Sequence, residues 1–156
     1  MSDPDRPCGI YRTTAPIAGV PAGVLVYYHN HGEPGPGVYL PRDWRNNRAV
    51  FHEHGTTVPD ERYAETLQPL AAEGFYRVVE PFACCEKRCV TIEADQLVQL
   101  GYNGRAQPIL FLLTLVDGLV AIPSTGTFID EERLARLRPL KLPVEELKAH
   151  DARALN

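Results

Sequence analysis

The segment "GFYRVVEPF" at positions 74–82 repeats, with small changes, the segment "GIYRTTAPI" at positions 9–17. The two segments share Gly, Tyr, Arg and Pro at equal spacing. Two further matches follow in the same order along the chain: "AGVLVYY" (22–28) with "ADQLVQL" (94–100), and "TVPDERYAETLQPL" (57–70) with "TFIDEERLARLRPL" (127–140). Three matches in one order indicate an internal duplication.

Each copy has the pattern of a small β unit that ends in a short helix. Several short segments rich in aromatic and β-branched residues lie between glycine and proline turn signals, as in small barrels and sandwiches. Asp60-Glu61 and Asp130-Glu131 then begin an apolar helical face, with negative charge where the helix dipole favours it. The apolar faces reach Leu70 and Leu140, and we expect Pro69 and Pro139 to end the helices.

We therefore predict a mainly β protein, a tandem duplication of two small β-barrel units, each closed by a short helix and packed together. The units resemble SH3-like modules in size and strand pattern. The first would span residues 8–71 and the second residues 72–142, followed by a partly helical C-terminal tail at 143–156. Since a unit of about 60 residues buries a smaller share of its surface than a larger domain does, we expect the two units to share a core.

Composition narrows the classes of function. A formal net charge of -4 argues against sequence-independent nucleic-acid binding, which depends on cationic surface. The longest apolar run, "ILFLLTLV" (109–116), is far shorter than the roughly 20 residues that cross a bilayer. The polar first residues lack the pattern of a signal peptide, so we expect a cytoplasmic setting in which the four cysteines stay reduced.

Residues that the copies share are interpreted as scaffold. Tyr11 and Tyr76 occupy matching positions, as do Arg12 and Arg77. An arginine at this position can pack its stem on a tyrosine ring while its head pairs with a carboxylate. We expect that carboxylate to be one such as Asp60 or Asp130. Function is then sought in segments that occur in one copy only.

The segment "RDWRNNR" (42–48) of the first copy supports the leading hypothesis, a non-enzymatic adaptor that binds a protein or peptide. Arginine and tryptophan are enriched at binding hot spots, and the positive charge favours an acidic partner. Tyr27 adds aromatic surface nearby. The predicted partner-binding residues are Trp44, Arg42, Arg45, Arg48, Tyr28 and Tyr39. The alternative is an ordinary polar turn with Trp44 packed against the protein.

The segment "CCEKRC" in the second copy supports the alternative function, binding of zinc or another transition metal. Three thiols beside Lys87 and Arg88 suit a thiolate site, which needs a fourth ligand such as Cys8, a histidine or a carboxylate. The first copy holds two His-x-His pairs (His29 and His31; His52 and His54), and alternate strand residues share a face. The predicted metal ligands are Cys84, Cys85, Cys89, His52 and His54.

Two further interpretations of the cysteines and histidines remain open. The thiols could pack as small apolar side chains in a long loop, and the histidines could simply be exposed at strand ends. A thiol-dependent enzyme, with Cys84 or Cys85 as nucleophile and a histidine base, is the third hypothesis. The chain has no glycine-rich phosphate loop, no G-x-S-x-G motif and no dinucleotide fingerprint, so we predict no catalytic residues.

Overall fold

The computed structural model describes residues 6–145, which are mainly β. The first half contains β1 (Gly9–Arg12), β2 (Leu25–His29), β3 (Gly37–Tyr39), β4 (Pro41–Arg45), β5 (Arg48–Phe51), β6 (Thr56–Thr57), helix α1 (Glu61–Thr66) and β7 (Gln68–Pro69). The second half contains β8 (Gly74–Val78), β9 (Phe82–Ala83), β10 (Thr91–Ile92), β11 (Leu97–Tyr102), β12 (Pro108–Leu112), β13 (Thr114–Val116), β14 (Leu119–Ala121), β15 (Thr127–Phe128), a 3₁₀-helix (Glu131–Arg136) and β16 (Leu137–Pro139).

Two five-stranded antiparallel sheets organise these elements. One has the strand order β6-β3-β2-β1-β7 and the other β15-β12-β11-β8-β16. Each sheet thus has three central strands, flanked on one side by the short strand before the helix and on the other by the short strand after it. In both halves a separate hairpin follows the third sheet strand, β4–β5 in one and β13–β14 in the other. Within the described residues each sheet keeps two edge strands, so neither forms a closed barrel.

Matching residues make matching contacts in the two halves. The hydroxyl of Tyr11 donates to the Pro7 carbonyl at 2.8 Å, and that of Tyr76 to the Ala72 carbonyl at 2.6 Å. In each case the acceptor lies four residues earlier in the chain. Gly55 and Gly126 are also equivalent, because a Cβ on either would lie within 2.7 Å of a carbonyl on the third sheet strand. Both shared tyrosines are buried, as expected for scaffold.

Both shared arginines pair with a carboxylate, as expected, but not with Asp60 or Asp130. Arg12 pairs with Glu131 of the other half, and Arg77 pairs with Asp95 at 2.6 Å. Asp60 is instead engaged locally, because its Oδ1 accepts a hydrogen bond from the Tyr63 N–H at 3.0 Å. Arg12 therefore joins the two halves, whereas Arg77 closes a contact within the second half.

Both helices are shorter than the apolar pattern predicts. The first ends at Thr66, and the second is a 3₁₀-helix that ends at Arg136. The following residues, including Pro69 and Pro139, are extended and pair with β1 and β8 as strands β7 and β16. Pairing of this segment with a sheet edge has therefore replaced the predicted last turn of each helix.

The core of the second half extends into the first half. Leu25 of β2 is fully buried and belongs to the cluster that contains Val98, Leu100 and Leu110. Four partly buried residues of the first half pack against the same cluster: Ile10, Ala49, Phe51 and Leu70. A second cluster, around Tyr11, Val26 and Leu67, is formed by the first half alone.

Two further predictions concern the C-terminal tail and membrane-spanning segments. Residues 146–156, most of the predicted tail, lie outside the described part of the chain. Within residues 6–145, no helix is both long enough and apolar enough to cross a membrane.

Candidate metal centre

The hairpin β9–β10 carries three thiols on the loop that joins its strands. Its register pairs Ala83 with Thr91, so residues 84–90 form a compact connection. The Arg88 N–H donates to the Cys85 carbonyl at 3.0 Å, and Arg88 adopts the left-handed region with φ 54°. This turn returns the chain toward its start and brings Cys89 back beside Cys85.

The three sulfur atoms of Cys84, Cys85 and Cys89 all lie within 4.8 Å of one another. The Cys84 and Cys85 Sγ atoms are 3.6 Å apart. With Zn–S bonds of about 2.3 Å, two thiolates of a tetrahedral zinc site are separated by about 3.8 Å. Cys84 is buried, Cys85 half-buried and Cys89 exposed, so the group reaches from the core to the surface. The spacing suits a shared thiophilic ion.

Hydrogen bonds around Cys85 favour its thiolate. These hydrogen bonds lower the pKa of Cys85. The largest effect comes from the Cys84 thiol, and smaller ones come from the backbone N–H groups of Lys87 and Cys89. The nearby charge of Cys85 raises the pKa of Cys89. Cys85 is therefore the first of this pair to ionise, and a bound cation would remove the repulsion that opposes the second ionisation.

The loop that holds the thiols carries both signs of charge. Lys87 and Arg88 are exposed in it, as is Glu86. Arg88 also lines a cavity beside β9 together with Arg133 and Arg136. Hydrogen bonds, and not these charges, are the causes that lower the pKa of Cys85.

Cys8 lies in a different group from the three thiols. Its Sγ is 3.4 Å from His29 Nδ1 and 4.0 Å from His31 Nδ1, and these three atoms all lie within 4.8 Å of one another. The other predicted histidines, His52 and His54, are exposed and belong to neither group of three or more close metal-ligating side chains found within residues 6–145.

Trp44 lies on β4 and contacts the other half. Its indole N–H donates to the Tyr102 carbonyl at 2.7 Å, while 42% of the accessible surface of Trp44 stays exposed. The next turn adds polar contacts, because the Asn47 amide donates to Gln99 Oε1 and to the Pro123 carbonyl, both at 2.9 Å. The hairpin that carries Trp44 therefore helps to join the halves.

The remaining predicted partner-binding residues have different surroundings. Arg42, Arg45 and Arg48 are exposed, and Arg42 is 3.9 Å from the neighbouring Asp43 carboxylate. Tyr39 is half-buried, as is Tyr27, whose ring packs against Phe51. Tyr28 is buried and contacts Tyr11 edge-to-face, so its ring offers little surface to a partner.

Sequence reasoning missed the group formed by Cys8, His29 and His31. The signal was the pairing of the first two strands, in which Gly9 lies opposite Tyr28. Extending that antiparallel register by one residue places Cys8 opposite His29. The sequence contains both the Cys8 thiol and the "HNH" pair, but it does not specify the strand register that brings them together.

No family model, curated protein or solved structure matches this chain.

Proposed function

We propose that this protein binds a thiophilic transition-metal ion, with zinc as the best fit, through Cys84, Cys85 and Cys89. The observation that carries the proposal is the convergence of three sulfur atoms within 4.8 Å on one short hairpin loop. Thiolates favour zinc and other soft or borderline ions over magnesium or calcium, which prefer oxygen. Three thiolates leave one tetrahedral position for water or an external ligand.

Backbone N–H groups of the loop contact the sulfur atoms and would stabilise the thiolates that bind the metal ion. The Val90 N–H donates to Cys84 Sγ at 3.4 Å, and backbone N–H groups also reach Cys85. Such contacts orient sulfur ligands and balance their charge. The thiols lie on the β9–β10 hairpin, whereas at the equivalent place the first half has only a tight turn closed by one antiparallel bridge between Ile17 and Val20.

The decisive experiment measures metal content of the full chain, purified without a histidine tag under reducing conditions and loaded with Zn²⁺. We expect the double variant Cys85→Ser/Cys89→Ser to lose one equivalent of zinc relative to the wild type. Both side chains lie outside the deep core, so circular dichroism should be unchanged. Native mass spectrometry counts the bound ions directly.

Glu86→Gln supplies the matched control for this experiment. It changes an exposed residue of the same loop without removing a thiol, and should retain the wild-type zinc content. Equal zinc content in the wild type and in the double variant would overturn the proposal.

We further propose that the chain arose by duplication of one SH3-like unit, with boundaries at 8–71 and 72–142. The equivalent strand orders of the two sheets support this origin. The matching tyrosine contacts and the equivalent Gly55 and Gly126 add residue-level support. A cytoplasmic location would suit the four free cysteines, since reducing conditions preserve thiols.

A second candidate function is binding of an acidic protein or peptide partner. It is favoured by the exposed face of Trp44, which lies among the exposed Arg42, Arg45 and Arg48. Because Trp44 also contacts Tyr102, its removal would confuse loss of binding with loss of stability. The thiol-enzyme hypothesis stays a prediction, and the lowered pKa of Cys85 is the feature that favours it.

Charge reversal tests the partner-binding hypothesis without altering Trp44. We expect Arg42→Glu/Arg45→Glu to abolish recovery of partners in a pull-down while leaving the unfolding midpoint within a few degrees of the wild type. Surface substitutions generally change stability by less than about 0.5 kcal/mol. Replacement of the exposed Arg105 by Glu is the control, and unchanged recovery with the double variant would contradict the hypothesis.

A further inference from the structure

We infer that Cys8, His29 and His31 form a second metal site in the first half, one that takes a borderline divalent ion such as Zn²⁺ through one sulfur and two nitrogen ligands. This inference is independent of the thiol site on β9–β10. The two groups share no residue and differ in donor chemistry. Mixed cysteine and histidine ligation is typical of zinc and of several other transition metals.

The spacing of the donor atoms carries the inference. Zn–S bonds of about 2.3 Å and Zn–N bonds of about 2.1 Å place S and N about 3.6 Å apart in a tetrahedral site. The two observed Sγ–Nδ1 distances, 3.4 Å to His29 and 4.0 Å to His31, lie on either side of that value. The two imidazole rings are also close, with centroids 3.9 Å apart and planes tilted by 48°. All three donors can therefore reach one ion after small side-chain rotations.

The backbone explains why these side chains meet. β1 and β2 pair with Gly9 opposite Tyr28, and Cys8 and His29 flank that pair. The chain then turns just after β2, and this turn brings His31 back beside Cys8. Cys8 and His29 are half-buried whereas His31 is exposed, so an ion can enter from the surface.

Asn30 contacts two of the three donor atoms, and one of these contacts would persist with a metal ion bound. Its backbone N–H donates to Cys8 Sγ at 3.3 Å, a contact that also suits a thiolate. Its side-chain oxygen accepts from the Cys8 thiol at 3.3 Å and from His31 Nδ1 at 2.6 Å. Metal binding would release the thiol proton and move the His31 proton from Nδ1 to the other ring nitrogen, so the Asn30 side-chain oxygen would give up both hydrogen bonds while its backbone N–H kept the contact to sulfur. The side-chain amide of Asn30 is held by the Arg6 carbonyl at 3.1 Å.

The duplication supplies an internal comparison. With the alignment of the copies, the positions equivalent to Cys8, His29 and His31 are Glu73, Gly101 and Asn103. The second half therefore lacks the donor set although it keeps the strands that would present it. The three ligands are an addition to the shared scaffold and are not required by it.

The test uses the full chain with Cys85→Ser/Cys89→Ser as background, so that the first-half site is observed alone. Titration with Zn²⁺ should give one bound equivalent, and Co²⁺ should give the visible absorption of a tetrahedral ion with one thiolate ligand. Adding Cys8→Ser or His31→Asn should weaken Zn²⁺ binding by more than tenfold, since even outer-contact changes cost about 10- to 100-fold. His54→Asn, an exposed histidine outside the group, should leave binding unchanged.

The outcomes separate the two sites. A background variant that binds no Zn²⁺ would overturn the inference while leaving the thiol site supported by the lost equivalent. Unchanged affinity in both the Cys8→Ser and the His31→Asn variants would also overturn it. One equivalent in both the wild type and the background, lost on His31→Asn, would support this site and reject the thiol site. His31 is exposed, so its variant remains informative even if Cys8→Ser fails to fold.

Discussion

Glu73 lies in the connection between the two halves, and its charge opposes folding. Burial raises the pKa of its carboxyl group, an effect only partly offset by the Ala49 N–H and by the positive charge of Arg48. The Ala49 N–H donates to Glu73 Oε2 at 2.9 Å. The folded state therefore holds the proton of Glu73 more tightly than the unfolded state does. Its contribution to stability is greatest at low pH and is lost as the pH rises through the folded pKa.

Glu73→Gln should remove this pH dependence. Glutamine keeps a side-chain oxygen for the Ala49 N–H but cannot ionise. We expect the free energy of unfolding of the variant to exceed that of the wild type near neutral pH, with the difference shrinking as the pH falls to about 4, near the ordinary glutamate pKa. Urea unfolding at several pH values measures it. The exposed Glu53→Gln is the control, and a wild type more stable than Glu73→Gln near neutral pH would contradict the argument.

The two short helices, at matching places in the two halves, begin in different ways. In the first half the Asp60 carboxylate caps α1 by accepting from the Tyr63 N–H. In the second half Asp130 makes no such side-chain hydrogen bond, and the element is a 3₁₀-helix. The same acidic pair thus provides a cap in one half, whereas in the other it places charge near a helix start without capping it.

Alanine at these two positions should therefore have unequal effects. Asp60→Ala removes the cap and should lower the free energy of unfolding by about 0.5–2 kcal/mol, the usual cost of losing an N-cap side chain. Asp130→Ala should cost less, because no cap hydrogen bond is lost. Chemical denaturation of the two variants gives the comparison, and equal losses would contradict the assigned role of Asp60.

The molecule as a whole is joined by apolar and polar contacts between its halves. Leu25 is buried within the core of the second half, and Arg12 pairs with Glu131 across the boundary. Trp44 and Asn47 add hydrogen bonds from the β4–β5 hairpin. Gly101 permits this close approach, because a Cβ there would lie 2.6 Å from the Asn47 carbonyl.

Separating the halves should destabilise both of them. Fragments 1–71 and 72–156 would expose apolar surface that the intact chain buries, and each is small enough that this loss matters. We expect each fragment alone to give weaker tertiary circular dichroism and a lower unfolding midpoint than the intact chain, and mixing to restore part of the signal. Independent fragments as stable as the whole chain would show that the shared core contributes little.

The fold was predictable from sequence to a considerable extent because it depends on local patterns. The repeated segments indicated equivalent strands such as Gly9–Arg12 and Gly74–Val78, and the turn signals indicated a mainly β chain. The apolar run at 109–116 does not form one strand, since it breaks into β12 and β13 at Leu113. The predicted helix ends were wrong, because helix propensity does not include pairing with a distant sheet edge.

The two groups of candidate metal ligands also differ in whether their members are close together in the sequence. Cys84, Cys85 and Cys89 are close in the chain, so one tight turn suffices to assemble them, and their grouping was expected from the sequence. Cys8 and His29 are 21 residues apart, and the sequence did not indicate that they meet.

The sequence by itself determined the β character, the repeated order of elements and the loop that carries three thiols, because each depends on neighbouring residues. Only the tertiary structure decided that Trp44 joins the halves, that Leu25 serves the other half's core and that Cys8 meets His29. For Leu25 and for the contact of Cys8 with His29, the physical reason is strand register, because a shift of one residue in the pairing of β1 with β2 would separate Cys8 from His29 and turn strand residues to the other face. For Trp44 the reason is packing, since the β4–β5 hairpin meets Tyr102 of the other half.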